Sequence, residues 1–207
     1  DQNIPGDSSP VLGNELVQNG SFSELGSEEI ENGSFTESPL GIDWGRYSPD
    51  NIVFEEGVAI LNIDSSNSNV GISQEDVFTS GSIYKIVLSM KATASFNAEV
   101  VESIAAATKN NIGDVSLTTS YQDFTFYYTA TGDYDLFIHR KYGETAGANQ
   151  SIYIKDVSVK QVDPNDYWAK TGDVTITDKA TLVVTGGAMT SISSNTANLV
   201  NGSTYLI

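Results

Sequence analysis

The sequence predicts an all-β protein built as a two-sheet sandwich, and three observations carry that prediction. Short runs rich in β-branched and aromatic residues are separated by Gly, Ser, Thr and Asn, with 18 Gly in 207 residues, the pattern of many strands joined by tight turns. Several of these runs alternate apolar and polar residues one for one, the period of a half-buried strand. Helix signals are nearly absent: Ala98 to Lys109 contains good helix formers, yet it lacks a cap and its opening reads equally well as a strand.

Taken in order, residues 1–40 hold eight acids and no base. Within them Asn19-Gly20-Ser21-Phe22-Ser23-Glu24 recurs as Asn32-Gly33-Ser34-Phe35-Thr36-Glu37. Each copy has an Asn-Gly turn signal and one aromatic anchor, so the stretch reads as a linker tethered to a sheet at two points. The chain begins at Asp1 without a Met or a signal-peptide pattern and reads as a piece of a longer protein.

A longer repeat follows. Trp44 to Ile86 aligns with Trp168 to Ile207: a Trp, a strand-like segment (Val58 to Ile63 against Ala180 to Thr185), then Gly81-Ser82-Ile83-Tyr84 against Gly202-Ser203-Thr204-Tyr205. Tandem copies of one module are expected, the second cut short. The boundaries read as an acidic lead-in at 1–31, a β-sandwich at 32–162, a linker at 163–167 containing Pro164, and the first part of an incomplete repeat at 168–207. Such a fragment leaves an unpaired sheet edge, which calls for cover by another chain or by further residues.

Periodicity also assigns faces. Tyr84, Ile86, Leu88 and Met90 point inward, as do Phe124, Phe126 and Tyr128, then Leu136 and Ile138. Ile152 and Ile154 share a parity that Val157 and Val159 do not, which places a bulge near Lys155. Two sheets face to face are the simplest way to bury these side chains, each contributing about 1.5 to 3 kcal/mol. The opposite parity puts Tyr127, Phe137, His139 and Tyr153 outward. Such a row has three readings: covered by loops or a neighbouring module, a sugar-stacking surface, or a subunit interface.

Composition excludes several functions. Lys and Arg number 10 against 27 Asp and Glu, a net charge of −17, so no nucleic acid is expected as a partner. No apolar run is long enough to cross a bilayer as a helix, and no membrane partner is expected. With no Cys and the single His139, disulfides, thiolate chemistry and multi-His metal centres are ruled out.

Five segments, in order, resemble the carbohydrate-binding modules of the family 4/9/22 type: Asn32 to Phe35 followed by Trp44, the run at Val58 to Ile63, Gly81 to Tyr84, Leu117 to Phe124, and Ile152 to Val159. The resemblance spans about 32–162 and implies a jelly-roll sandwich. It departs at Tyr121, where many members carry Trp, and at Lys155-Asp156, where they carry paired Asp. It also implies a structural calcium between the amino-terminal segment and the last strand, with Glu37 and Asp156 as ligands; Lys155 subtracts charge from that site. The doubled lead-in looks like the tandem starts of phage structural proteins. That implies a non-catalytic fibre, decoration or tail component at the virion surface, with host attachment through cell-surface glycans and with other virion subunits or copies of itself as partners. The alternative is a module of a secreted, extracellular polysaccharide-degrading enzyme.

For sugar recognition the candidate residues are Tyr127, Phe137, His139 and Tyr153 as a stacking platform, edged by Tyr47, Arg140, Tyr142 and Asn149. The polar segment from Arg140 to Gln150 has the composition of a binding loop or of a plain surface loop. No enzyme is expected. No spacing singles out a carboxylate pair for glycoside hydrolysis, and His139 lies on a strand with no nucleophile elbow nearby.

Overall fold

The computed structural model describes residues 21, 23–37, 39, 41–64, 70–104, 108–141, 143, 149–163, 165, 168–171, 173–176, 180–183 and 190–194. The chain divides into one unit at Glu24–Pro164 and a second that comprises Asp1–Ser23 and Asn165–Ile207. Among the described residues no helix is long and apolar enough to cross a membrane.

The first unit has eleven strands: β1 (Leu25–Glu28), β2 (Gly45–Tyr47), β3 (Ile52–Glu55), β4 (Val58–Ile63), β5 (Gly71–Phe78), β6 (Ile83–Ala92), β7 (Phe96–Ile104), β8 (Thr108–Leu117), β9 (Gln122–Thr129), β10 (Tyr134–Arg140) and β11 (Gln150–Val162). They form two antiparallel sheets. One has the order β3-β4-β11-β6-β9, with β1 also paired to β11; the other has the order β2-β5-β10-β7-β8. Apart from the hairpins β3–β4 and β7–β8, each successive strand from β2 onward switches sheet. This crossing over makes the fold a sandwich with a shared core. The described residues of the segment Ala98 to Lys109 are strand rather than helix: they form the end of β7 and the start of β8.

The interior follows the predicted parity. Tyr84, Ile86, Leu88 and Met90 are buried, as are Leu136, Ile138, Ile152 and Ile154, while Phe124, Phe126 and Tyr128 are half-buried and pack on that core. The register of β11 against β6 shifts between Ile154 and Asp156. One extra residue there returns Val157 and Val159 to the inside, both buried.

The lead-in locks onto the sandwich through few residues. Phe35 is fully buried, with its ring centroid 5.2 Å from that of Trp44 and 5.8 Å from that of Phe54. The Trp44 Nε1 donates to the Asn32 carbonyl at 3.1 Å, and Asn32 Oδ1 accepts from the backbone of Thr36 and Glu37. The segment read as linker already contributes β1, whose Glu28 carboxylate accepts from Ser158 Oγ at 2.7 Å and from the Val159 amide at 2.6 Å.

Of the buried carboxylates, one is sealed completely. Glu102 on β7 is fully buried and accepts from Thr131 N and Oγ1, Tyr128 Oη and Asn110 Nδ2. Burial raises its pKa, but these hydrogen bonds outweigh burial and hold it below the ordinary Glu value.

In the second unit, β12 (Trp168–Thr171) pairs with β15 (Ser191–Ser194), and β13 (Asp173–Ile176) pairs with β14 (Ala180–Val183). This is the pairing order of β2 with β5 and β3 with β4 in the first unit.

Candidate functional site

The outer face of the β2-β5-β10-β7-β8 sheet is built from cross-strand rows. In one row Tyr47, Gly71, His139, Glu99 and Asp114 are successive partners. In the next, Gly45, Ser73, Phe137 and Val101 follow in the same way, and beyond them Asp135 stands opposite Ser103. Neighbouring strands lie ~4.8 Å apart, so these side chains share one continuous surface.

Glycine shapes it. A Cβ on Gly71 would lie 2.6 Å from the Phe137 ring and 2.7 Å from the His139 Cβ. Its absence lets Phe137 lie down over the sheet, where it stacks on His139 with centroids 4.7 Å apart and an interplanar angle of 24°. Tyr47 meets the Phe137 ring edge-on at 6.1 Å. The rings therefore partly cover one another, which corrects the expectation that Phe137 and His139 face solvent freely. Phe137 is 9% exposed and His139 4%, whereas Tyr47 is 44% exposed.

Beside the two rings opens a cleft of about 240 Å³ lined by Gly45, Arg46, Tyr47, Ser73, Glu75, Ser103, Asp135 and Phe137. Ser103 is 3% exposed, and its Oγ has no hydrogen-bond partner among the described residues. Asp135 Oδ1 accepts from the Asp76 amide at 3.1 Å. An adjoining cleft of about 600 Å³ is lined by Glu29, Glu31, Asp43, Glu75 and Asp76 together with Ile42, Trp44, Gly45 and Gln74. Burial, and then the neighbouring Glu28, push the Glu29 carboxyl up. Trp44 is buried there, so this larger cleft offers carboxylates but no open aromatic face.

The predicted platform is split. Tyr47, Phe137 and His139 lie on this sheet, but Tyr127 on β9 and Tyr153 on β11 belong to the other one, whose outer face is the opposite side of the sandwich. Parity reports inside or outside; it does not report which sheet a strand joins. Arg140, expected at an edge, is buried at the end of β10, and its amide donates to the Val70 carbonyl at 3.3 Å. Asn149 is exposed, with φ of 62° in the turn before β11. Tyr142 lies outside the described residues.

His139 has an oxygen near each ring nitrogen. Nδ1 is 2.5 Å from the Arg140 carbonyl, and Nε2 is 3.4 Å from Glu99 Oε2. The imidazole is thus turned to these two groups.

Glu37 and Asp156, implied as calcium ligands, are both exposed. The lead-in does lie along β11, since the Val157 amide donates to the Gly33 carbonyl at 3.0 Å. Among the described residues no group of three or more His, Cys, Asp or Glu converges as a metal centre, and calcium takes six to eight oxygens.

Sequence reasoning missed Ser103, Asp135, Ser73 and Gly71, which come from three strands far apart in the chain. Only the strand register brings them together.

No protein-family model matches the chain, and no curated protein matches it. Among solved structures the sandwich is similar to the N-terminal cellulose-binding domain of a Cellulomonas fimi β-1,4-glucanase. The identity is 18%, the match covers 64% of this chain and 95% of that one, and the TM-score is 0.50. Also similar are a structure described as CBM4 (18% identity, 59% of this chain and 96% of that one, TM-score 0.48) and a variant of a family 29 carbohydrate-binding module (14% identity, 67% and 96%, TM-score 0.47). The fold is the jelly-roll sandwich of carbohydrate-binding modules.

Proposed function

We propose that the 24–164 unit is a non-catalytic glycan-binding module that holds an uncharged polysaccharide chain against Tyr47 and Phe137. The observation that carries this reading is the cleft beside those rings, whose wall presents the unpartnered hydroxyl of Ser103. A pyranose needs an apolar ring to cover one face and fixed polar groups to read its hydroxyls. Tyr47 and Phe137 supply the first; Ser103, Ser73, Glu75 and Asp135 supply the second. The acidic wall suits hydroxyl donors and repels an acidic chain.

Chemistry on the bound sugar is not part of the reading. Ser103 is the buried hydroxyl of the cleft, and it has no partnering base; His139 is turned to Glu99 and to a backbone carbonyl. The matching strand-pair order of β12–β15 and β2–β5 supports a second copy of the module beginning at Trp168. Attachment through the cleft serves a virion fibre, decoration or tail protein and a secreted polysaccharide-degrading enzyme alike.

Titration calorimetry with cellohexaose tests the proposal, the probe being chosen because the similar fold belongs to a cellulose-binding domain. Binding is expected, and Tyr47→Ala is expected to weaken it about tenfold, the loss of one stacking contact. Unchanged binding in Tyr47→Ala, or no binding of cellohexaose, xylohexaose or mannohexaose, overturns the proposal.

A further inference from the structure

The opposite side of the sandwich carries a different constellation. On the outer face of the sheet containing β6 and β11, Lys91 stands opposite Tyr153, and Tyr153 opposite Ile60, which in turn faces Val53. Tyr121, the residue before β9, completes the row on the other side of Lys91. The Lys91 Nζ lies 4.7 Å from the Tyr121 ring centroid and 4.9 Å from that of Tyr153. Tyr121 is 41% exposed and Val53 43%, so the row meets solvent at both ends.

The ammonium is held by two π faces and by no carboxylate. Asp123 and Asp156 stand one row away, each opposite Ser89, yet neither forms an ion pair with Lys91 among the described residues. A π face attracts a cation but leaves its N–H groups without an oxygen. Farther along, Lys85 and Lys160 are directly opposite each other, with Tyr127 across from Lys85 and Glu28 across from Lys160. Like charges placed so are destabilising unless an anion joins them. This face carries the acids Asp123, Asp156, Glu28 and Glu55 and as many lysines: Lys85, Lys91 and Lys160, with Lys155 at the bulge. The cleft on the far side has two carboxylates, Glu75 and Asp135, in its lining and one cation, Arg46, whose guanidinium lies over the Phe54 ring.

We propose that this second face is a binding site for glycans containing uronic acid, the sugar carboxylate taking the Lys91 ammonium between Tyr121 and Tyr153. Tyr121 and Tyr153, about two strand spacings apart, ~9.5 Å, border the sugar on either side of the ammonium. Asp123 and Asp156 accept from sugar hydroxyls. The same two carboxylates disfavour a more densely charged chain, such as a multiply sulfated one, so the site is matched to no more than one carboxylate per sugar. Lys85, Lys160 and Tyr127, six residues or ~20 Å along β6, give a longer chain a second foothold. This site is independent of the cleft at Tyr47 and takes a different ligand class.

The test uses the full chain in affinity electrophoresis and titration calorimetry with polygalacturonate and with its fully methyl-esterified form, which keeps the rings and removes the charge. Polygalacturonate is expected to bind at least about tenfold more tightly than the ester, as for a lost hydrogen bond to a charged group, and the preference is expected to shrink in high salt. Lys91→Met and Tyr121→Ala are each expected to remove most of that difference, while Lys91→Met still binds cellohexaose if the cleft does. Equal binding of acid and ester, wild-type binding by Lys91→Met, or equally tight binding of dextran sulfate or duplex DNA overturns the proposal. None of these outcomes bears on the Tyr47 cleft, which the uncharged oligosaccharides read separately.

Discussion

The hydroxyl of Tyr128, on β9 of one sheet, donates to the Glu102 carboxylate on β7 of the other at 2.8 Å. Thr131 and Asn110 complete the shell around that carboxylate, so a buried charge ties the two layers together at one end of the core. Burial, reinforced by the neighbouring Glu102, pushes the Tyr128 pKa well up.

The Glu102 tie has a definite pH signature. A carboxylate whose folded-state pKa is depressed adds stability that is present above its ordinary value, 4.5, and is lost as pH falls through the folded-state pKa. Thermal melts between pH 7 and pH 2 are expected to show a fall below about pH 4.5 that is flatter in Glu102→Gln. Glu102→Ala, which strands several buried donors, is expected to cost about 3 kcal/mol at pH 7 in urea denaturation. A variant with the wild-type midpoint would show that the shell contributes nothing.

Phe35 anchors the lead-in. Phe35→Ala leaves a cavity between Trp44 and Phe54 and is expected to destabilise the unit by about 3 to 5 kcal/mol, read from the urea midpoint and from Trp44 fluorescence.

Gly33 allows the same segment to touch β11. A Cβ there would lie 2.1 Å from the Val157 carbonyl oxygen, a backbone atom that cannot swing aside. Gly33→Ala is expected to cost about 1 to 3 kcal/mol and to raise hydrogen exchange at the Val157 amide, which bonds to Gly33.

Gly71 is the corresponding position for the cleft. Gly71→Ala must lift Phe137 away from the sheet, so cellohexaose affinity is expected to drop about tenfold, with far-ultraviolet circular dichroism unchanged. Retained affinity would separate the Phe137 position from binding.

Layering was legible because burial leaves a two-residue trace. Tyr84 to Met90 and Leu136 to Ile138 needed only parity, and even the bulge at Lys155 was visible as a slip of that parity. Sheet membership leaves no such trace. Tyr127 and Phe137 have identical patterns around them yet stand on opposite sides of the molecule, because the assignment depends on which distant strand each hydrogen-bonds. Strand β1, Leu25-Gly26-Ser27-Glu28, was illegible for another reason: nothing in its composition favours extended structure, and it is held by what β11 offers to Glu28. The cleft residues Ser103 and Asp135 become neighbours only through register.

The Asp163 amide donates to the Glu24 carbonyl at 3.2 Å, so the first unit is entered and left at a single point, as a bead hung from a string is. Tension applied across its two ends falls first on the Leu25–Val162 pair and opens it one rung at a time, like a zipper. A unit of this geometry yields first at low force by shedding β1, while the β2-β5-β10-β7-β8 sheet, which β1 does not join, keeps its pairing.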